Sequence, residues 1–596
     1  MSSSVHLVSR GNSYPRHTKI FLAVILLATL AAYAGAARCN FAYDDFLQIV
    51  YNKQIKSVSF LSGYFTNQVW AQADNRPGNL YRPLFLSWLL INHSLFQLNP
   101  MGWHLTTLFL HLLATLLVYL VAQRLVVNAR AALFAAAVFG LHPIHVEGVA
   151  WISGVTEPML TSAFLGSFFC YLKYRSDSRW QWLAGSLLTF AAAMLAKETA
   201  VVLPGAIALY EACFPPKPGA FNSSKDSRRI KAAALVLFPY VAMVVAYLGV
   251  RMAVLHGFAH RMSDVPMWIS ALTWPWVISF YLGLLAFPVG LGPFYDVSYV
   301  SGWGANGIAL PVLTLLVAAL ALGWWKRRSG SQLPIFLGGW WLLTLAPVLV
   351  SFVIMSRWEG MHDRYLYLPS FAFCVMAGQG LAGLFPATVP WRGPIMRVGA
   401  AGLLLASLAA ATWHQVTYWN NDLVLFSRGA ATAPRNVLAR LNLAAELRRQ
   451  HQYDGALQVA RQAIALDPKS SLALSAAGEA EYFLGDFAEC DRYYVQALMQ
   501  EPARVDQLYY LGLARIKSGK YEGGLAAIRK GLSLWPDAPG YYYALGLGLA
   551  GTGDWEGAQR AFRKELSFYP NNASASAALA GLEDARLRNA ASRNVP

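Results

Sequence analysis

The stretch HLTTLFLHLLATLLVYLVA, residues 104–122, contains 19 consecutive residues without a formal charge. A transmembrane helix needs about 20 predominantly apolar residues to cross the hydrocarbon core of a bilayer. Further apolar runs occur on both sides of this stretch, up to about residue 412, and short loops containing Lys and Arg separate them. This pattern predicts an all-α, polytopic membrane bundle over residues 1–413.

The charge balance changes at the end of this region. Up to Trp413 the chain has 13 acidic and 28 basic residues, whereas the remainder has 18 acidic and 20 basic residues. An excess of Lys and Arg in an apolar region is typical of cytoplasmic anchoring charge. No nucleic-acid-binding motif accompanies it, so we expect no nucleic-acid partner.

Lys and Arg in the short loops predict the orientation of the bundle. The N-terminus is expected inside, residues 39–99 form the first extracytoplasmic loop, and the bundle has about eleven crossings in total. The segment 267–291 contains Pro275 and Pro288 and is interpreted as re-entrant or interfacial, because a full crossing would place residues 326–328 outside. This topology leaves the C-terminal tail outside.

The tail, residues 414–596, contains an internal repeat. Prolines recur at intervals of 34 residues, at Pro434, Pro468, Pro502, Pro536 and Pro570. Glycines recur in the same frame, at Gly478, Gly512 and Gly546 and again at Gly485, Gly519 and Gly553. A period of 34 residues is that of tetratricopeptide repeats, and about four of them are predicted. Such an array offers a groove for an extended peptide, or alternatively only a packing platform.

Acidic and imidazole side chains cluster near the predicted outer face. Asp44 and Asp45 are adjacent just after the first span, where they suit a general base with an orienting partner, or alternatively a helix cap. His142, His145 and Glu147 lie at the outer part of another span, and polar residues at this depth tend to be functional. Their spacing does not match a standard helical metal site, so contact with a polar ligand is preferred.

Several cations map to the same face. Lys197 is followed by Glu198, and Arg364 opens another predicted span. Arg82 and Arg251 are weaker candidates. Each alone is more often an interfacial anchor, but together with the carboxylates they indicate a site for a phosphate-bearing substrate. The absence of a Walker loop, a Rossmann fingerprint and a nucleophile elbow argues against nucleotide hydrolysis and acyl transfer.

Five short motifs, taken in order, resemble a known family. The membrane half is similar to GT-C glycosyltransferases, and the whole chain resembles the TMTC group of transmembrane and tetratricopeptide-repeat O-mannosyltransferases. The motifs are FAYDD (41–45), YRPL (81–84), LHPIHVE (141–147), LAKE (195–198) and RYLYLPS (364–370), followed by the repeats.

The resemblance implies a sugar, mannose or another hexose, carried on a polyprenyl phosphate and transferred with inversion to a hydroxyl acceptor. It assigns Asp44 as the base and Asp45 as its orienting partner. Lys197 and Arg364, with Arg82 and Arg251, would bind the donor phosphate. His142, His145, Glu147 and Glu198 would shape the sugar or acceptor pocket.

The resemblance also implies partners and a location. The repeats would present Ser or Thr of a protein acceptor, membrane lipid would surround the bundle, and no cofactor is expected, although a divalent metal stays open. The short array favours a bacterial inner membrane protein with its repeats in the periplasm. Two alternatives remain: an enzyme of the same fold that glycosylates an envelope glycolipid or polysaccharide, and a non-catalytic membrane scaffold.

Overall fold

The computed structural model describes residues 16–70, 78–126, 128–215, 226–300, 310–384 and 394–593, which form helices and turns without a β-strand. The predicted all-α class is therefore confirmed. The chain divides into two compact units, Met1–Arg428 and Gly429–Pro596. The boundary expected at 413/414 falls inside the helix Pro394–Val416 of the first unit.

The first unit is built from helices of very different length. In chain order they are α1 Arg16–Tyr33, α2 Pro83–Phe96, α3 Pro100–Leu125, α4 Ala129–Leu141, α5 Val146–Ala150, α6 Thr156–Asp177, α7 Trp180–Ala196, α8 Leu203–Cys213, α9 Asp226–Leu255, α10 Met267–Ala286, α11 Leu310–Ser329, α12 Leu333–Ile354, α13 Ser370–Gly383, α14 Pro394–Val416 and α15 Asp422–Thr432.

Six apolar stretches of the described chain are long enough to cross a membrane, which identifies an integral membrane protein. They are His17–Arg38, Pro100–Leu125, Ala234–Leu255, Met267–Ala286, Leu333–Ile354 and Met396–Trp419. The pair α4 and α5, bent by 49°, adds a seventh if it forms one span. Length and composition thus do not confirm the expected eleven crossings.

Some predicted crossings are short helices joined by turns. α7 has 17 residues and α8 has 11, and a 3-10 turn, Glu198–Val202, separates them. These lengths are below the roughly 20 residues of a straight span. The turns between these short helices place polar residues between apolar helices. The candidate site lies at such turns.

The segment expected to be re-entrant is one continuous helix. α10 runs through Pro275 without interruption over 20 residues. A proline removes one helical hydrogen bond and kinks a membrane helix, but neighbouring groups can satisfy the freed carbonyl. The helix therefore lacks the central break that a re-entrant segment needs, whereas an interfacial position stays a prediction.

The second unit consists of paired helices, as the 34-residue period predicts. They are α16 Val437–Arg449, α17 Tyr453–Leu466, α18 Ser471–Leu484, α19 Phe487–Gln500, α20 Val505–Lys517, α21 Tyr521–Leu534, α22 Tyr541–Gly551, α23 Trp555–Phe568 and the terminal helix α24 Ala573–Arg593. Each helix packs against its neighbours in the chain. Four helix pairs and a terminal helix form the array.

The repeated glycines serve two different purposes. A Cβ on Gly512 would lie 2.5 Å from Ile528, so this position permits close packing of α20 on α21. Gly519, by contrast, has open space around it and a φ of +77°, which ends α20 in a left-handed conformation. The second glycine series, Gly485, Gly519 and Gly553, therefore acts through the backbone angle and not through close packing.

Candidate functional site

The two adjacent acids after α1 lie in different surroundings, and Asp45 is held by the protein. Its carboxylate accepts hydrogen bonds from the Ala42 amide at 3.1 Å and from the Ser153 amide and hydroxyl at 2.9 and 2.5 Å. Burial raises the pKa of Asp45 to about 7, and these hydrogen bonds oppose the shift. Asp45 therefore fastens the acidic turn to the segment that precedes α6.

Asp44 is partly accessible, and its carboxylate accepts no hydrogen bond from the residues that the structure describes. Burial raises its pKa to about 7, while the Arg364 guanidinium lowers this pKa and the Glu359 carboxylate raises it. A carboxylate that combines this pKa with free oxygen atoms is suited to accept a proton near neutral pH.

The backbone before Asp44 is fixed in an uncommon conformation. Tyr43 has a φ of +57°, a region that costs a residue with a side chain about 1 kcal/mol or more. Its amide donates to Asp422 at 2.8 Å, and its ring centroid lies 5.8 Å from that of Trp151. These contacts hold the strained turn and orient Asp44.

Arg364 lies beside the acidic turn and is held by Glu147 of α5. Its backbone amide donates to Glu147 at 2.9 Å, and its guanidinium Nη1 donates to the same buried carboxylate. The guanidinium carbon lies 5.1 Å from the ring centroids of both Trp151 and Tyr365. Glu147 thus acts as the partner of Arg364, and the other guanidinium N–H groups remain available to an anion.

Lys197 lies close to the same aromatic ring, that of Tyr365. Its ammonium forms an ion pair with Glu157 and lies 5.4 Å from the Tyr365 ring centroid. Burial lowers the pKa of Lys197, and the adjacent Glu157 opposes this shift. An ammonium has three N–H donors, so one carboxylate does not exhaust it.

Arg82 and Glu198 form a bidentate ion pair next to this group. Arg82 Nε and Nη2 donate to the two carboxylate oxygens of Glu198 at 3.0 and 2.7 Å. Burial alone would raise the pKa of Glu198, but the charge and hydrogen bonds of Arg82, together with the Lys197 ammonium, outweigh this effect and lower the pKa to about 2. Glu198, expected in a sugar pocket, instead neutralises and orients Arg82.

The structure brings the principal predicted residues to one place. Lys197 and Arg364 share the Tyr365 ring, and Asp44 interacts electrostatically with Arg364. Glu157 interacts electrostatically with both Arg82 and Arg364. We call this group, Asp44 with the cations Arg82, Lys197 and Arg364, the polar recess.

Arg251 has a different environment. It donates to the backbone carbonyl groups of Phe258 at 2.5 Å and of Asn79 at 2.9 Å. No described residue of the polar recess forms a hydrogen bond with it. Its contacts join the end of α9 to the segment before α2, so they do not support the predicted phosphate contact.

His142 and His145 are buried, and both ring nitrogens of each are engaged by the protein. His142 bonds the Leu285 carbonyl at 3.0 Å and the Ile144 amide at 3.2 Å. His145 bonds the Phe139 carbonyl at 2.9 Å and the Ser370 hydroxyl at 2.8 Å. Both rings therefore hold the break between α4 and α5, and the predicted direct contact with a sugar has no support from their contacts.

Three residues that interact with the polar recess were not singled out in the sequence analysis: Glu157, Glu359 and Tyr365. Glu157 could have been found from the sequence, since it is a carboxylate at the start of an apolar helix. A buried charge requires a partner, so its position indicates an interaction with a cation. Tyr365 lies inside a quoted motif, but an aromatic residue at a span end is common. Glu359 lies in a loop, and its sequence gives no indication of what it faces.

No group of three or more potential metal ligands occurs in the parts of the chain that the structure describes. The divalent metal that the sequence left open is not supported by a preformed cluster.

Together these features define a class: an integral membrane protein with a repeat array, whose short and broken helices bring a partly accessible carboxylate together with several cations. Comparison with known proteins makes this specific. Residues 81–247 match the family described as dolichyl-phosphate-mannose-protein mannosyltransferase. This segment contains Arg82, Glu147 and Lys197, whereas Asp44 and Arg364 lie outside it.

Relatives of known name are protein O-mannosyl-transferases. Human TMTC1 is 26% identical over 76% of this chain and 56% of the relative, and Drosophila melanogaster Tmtc1 is 24% identical over 71% and 59%. Human TMTC2 is 31% identical over 30% of this chain and 23% of the relative. These findings confirm the resemblance that the motifs indicated. The chain spans little more than half the length of Drosophila Tmtc1 and human TMTC1.

Solved structures similar to this chain include tetratricopeptide-repeat proteins. A thermophilic tetratricopeptide protein of Thermus thermophilus is 19% identical, covers 30% of this chain and 95% of its own, and has a TM-score of 0.25. MamA covers 25% of this chain with a TM-score of 0.23. These scores are low, so the repeat assignment depends on the helix pairs described above.

Proposed function

We propose that this protein is a GT-C type glycosyltransferase that moves mannose, or another hexose, from a polyprenyl-phosphate donor to a Ser or Thr hydroxyl of a protein. The mannosyltransferase relatives support the reaction class. The observation that carries the proposal is Asp44, a partly accessible carboxylate with a pKa of about 7 that accepts no hydrogen bond from the described residues and interacts electrostatically with the cation Arg364.

The reaction is a single displacement. Asp44 accepts the proton of the acceptor hydroxyl while that oxygen attacks the anomeric carbon of the sugar. The bond between this carbon and the phosphate oxygen breaks, and polyprenyl phosphate leaves with the bonding electron pair. Attack opposite the leaving group inverts the anomeric configuration.

The cations of the recess stabilise the leaving group. Negative charge develops on the phosphate oxygen as the bond breaks, and Arg364 and Lys197 supply N–H donors held in place beforehand. Glu147 and Glu157 are ion-pair partners that keep these cations oriented before the donor arrives. Arg82, anchored by Glu198, adds positive charge at the same site.

The rest of the molecule supplies substrates. The apolar spans accommodate the polyprenyl chain in the bilayer, and the repeat array binds the acceptor protein. In this proposal the recess and the array face the periplasm of a bacterium, with the N-terminus in the cytoplasm. The positive charge of the predicted inner loops supports this orientation.

The test uses purified protein in lipid nanodiscs with radiolabelled polyprenyl-phosphate mannose and a Ser/Thr-containing protein substrate. We expect Asp44→Asn to lower kcat by 100-fold or more, since general-base catalysis contributes about 10²–10⁴-fold. Asp177→Asn is the matched control, because this partly exposed acid contacts Lys173 and Ser176 of its own helix, α6. Equal turnover of the wild type and Asp44→Asn would contradict the proposal.

The same assay separates the acceptor classes. Label recovered in Ser or Thr of the protein supports the proposed acceptor. Label found only in added glycolipid, still dependent on Asp44, would assign the reaction to envelope glycolipid instead. No transfer to either acceptor, with intact donor binding, would favour a non-catalytic scaffold.

A further inference from the structure

A second basic site lies away from the polar recess, in the hairpin formed by α11 and α12. A cavity of about 510 Å³ opens there. It is lined by Gly323, Lys326 and Arg327 of α11, Gly330 of the turn and Ile335 of α12. Its volume lies within the range of ligand sites, about 300–1,000 Å³.

The charge of this hairpin is not balanced within the part of the molecule that the structure describes. Residues 310–354 include Lys326, Arg327 and Arg328 but no Asp or Glu. None of the three cations forms a salt bridge with a described carboxylate. Uncompensated cations beside an open cavity favour an anionic ligand.

The nearest acidic residue of the adjacent helix α8 is already engaged. Glu211 accepts from Arg175 Nε at 2.8 Å and from the Tyr171 hydroxyl at 2.7 Å. The electrostatic interaction between Lys326 and Cys213 shows that the end of α8 lies close to the cavity. The basic site therefore keeps its positive charge although an acid is near it.

An apolar stripe runs along α11 to the cavity. Leu313, Leu316 and Leu320 are exposed on α11 at a spacing of three and four residues, which places them on one helix face. Gly323 and Arg327 continue this spacing to the cavity. In a membrane protein, an exposed apolar stripe of this kind contacts acyl chains.

We propose that this cavity binds the headgroup of an anionic phospholipid, with the phosphate at Lys326 and Arg327 and the acyl chains along the leucine stripe. A zwitterionic headgroup carries a choline or ethanolamine cation that the uncompensated Lys and Arg repel. Two glycines at the rim leave room for the headgroup, because no atom lies within 4 Å of a Cβ built on either.

The experiment measures lipid binding to the full-length, delipidated protein by native mass spectrometry. Phosphatidylglycerol is titrated against phosphatidylcholine, and Lys326→Gln/Arg327→Gln is compared with the wild type. Near a membrane surface, each Lys or Arg contributes substantially to the binding of acidic lipid. We therefore expect the affinity of the variant for phosphatidylglycerol to fall by about tenfold or more. Phosphatidylcholine binding should be unchanged.

The matched control is Lys53→Gln/Lys56→Gln, which removes the same charge from exposed residues of the first predicted outer loop. It should bind phosphatidylglycerol like the wild type. Equal phosphatidylglycerol binding by the wild type and Lys326→Gln/Arg327→Gln would overturn the proposal. So would an equal loss in both double variants, because net charge alone would then explain binding. Competition by soluble glycerol phosphate as strong as by the lipid would also contradict it, because the leucine stripe would contribute nothing.

Discussion

Asp44 and Asp45 are covalent neighbours in different environments, and a pH dependence follows from Asp44. A base must be ionised to accept a proton, and the pKa of Asp44 is raised to about 7. We therefore expect kcat to be low below pH 6 and to rise through about pH 7. The measurement is the pH profile of sugar transfer in nanodiscs.

The carboxylate of Glu359 adjusts this profile. Its negative charge disfavours ionisation of Asp44, so Glu359→Gln should lower the pKa of Asp44 and move the midpoint to lower pH, by about half a unit or more. Asp177→Asn, at the opposite end of α6 from Glu157, should leave the midpoint in place. A midpoint that stays fixed or rises in Glu359→Gln would show that the two carboxylates do not interact.

Ser153 offers a second test at the same scale. Ser153→Ala removes a hydroxyl donor from the buried Asp45 carboxylate, which should cost about 1–3 kcal/mol of stability and lower kcat through a displaced turn. Ser153→Thr keeps the hydroxyl and should restore most of both. Thermal unfolding and kcat are measured together. If kcat is equally low in Ser153→Ala and Ser153→Thr, the size of the side chain at position 153 matters and its hydrogen bond to Asp45 does not.

Part of the site was predictable from sequence because its residue types are informative in themselves. Paired acids after a span and cations at span ends indicated Asp44, Lys197 and Arg364. The structural role of His142 was not predictable, because the carbonyl group that satisfies it comes from Leu285, far along the chain. Hydrogen-bond partners of this kind become known only once the helices are placed.

At the scale of the helices, the close packing of α4 against α13 depends on one glycine, Gly378. A Cβ on Gly378 would lie 2.4 Å from the Ala131 carbonyl oxygen and 2.7 Å from the Ala135 amide nitrogen. Backbone atoms cannot move aside as a flexible side chain can. Gly378→Ala should therefore destabilise the protein by about 1–3 kcal/mol, which a thermal-shift assay in detergent measures.

Gly380 is the control for this prediction, since it lies on the same helix with no atom within 4 Å of a built Cβ. Gly380→Ala should be neutral or slightly stabilising, because alanine is the better helix former. Equal melting temperatures for the two variants would mean that the helices can separate without cost.

The sequence predicted long elements better than short ones. A run such as residues 104–122 is apolar throughout, so hydropathy alone locates the helix around it. The break between α4 and α5 and the 11-residue α8 lie where polar groups interrupt an apolar window, and averaging over that window conceals them. The repeat period was visible because Pro and Gly mark helix ends directly.

For the whole molecule, the proposed orientation predicts a labelling pattern. Single cysteines are introduced at Lys53, Ser329 and Lys530, all exposed positions, in a background with the native cysteines replaced. Lys53→Cys and Lys530→Cys should react with a membrane-impermeant maleimide in cells whose outer membrane is permeabilised. Ser329→Cys should react only after the inner membrane is also opened.

The cysteine-free parent is the control and should stay unlabelled. Protection of Lys530→Cys while Lys53→Cys reacts would place the repeats on the cytoplasmic side and contradict the proposed acceptor route. Reaction of Ser329→Cys in cells with a sealed inner membrane would place the end of α11 on the periplasmic side. The number of crossings before α11 would then differ from the predicted one.

The array has a further property because each of its helices packs on its neighbours in the chain. Duplication or deletion of one 34-residue module would alter its length in fixed steps, with new junctions that copy existing ones. The acidic turn has no such freedom, since Tyr43 and Asp45 are each tied to a distant partner. Evolution can thus tune the reach of the tail by gene duplication while the chemistry upstream stays constant.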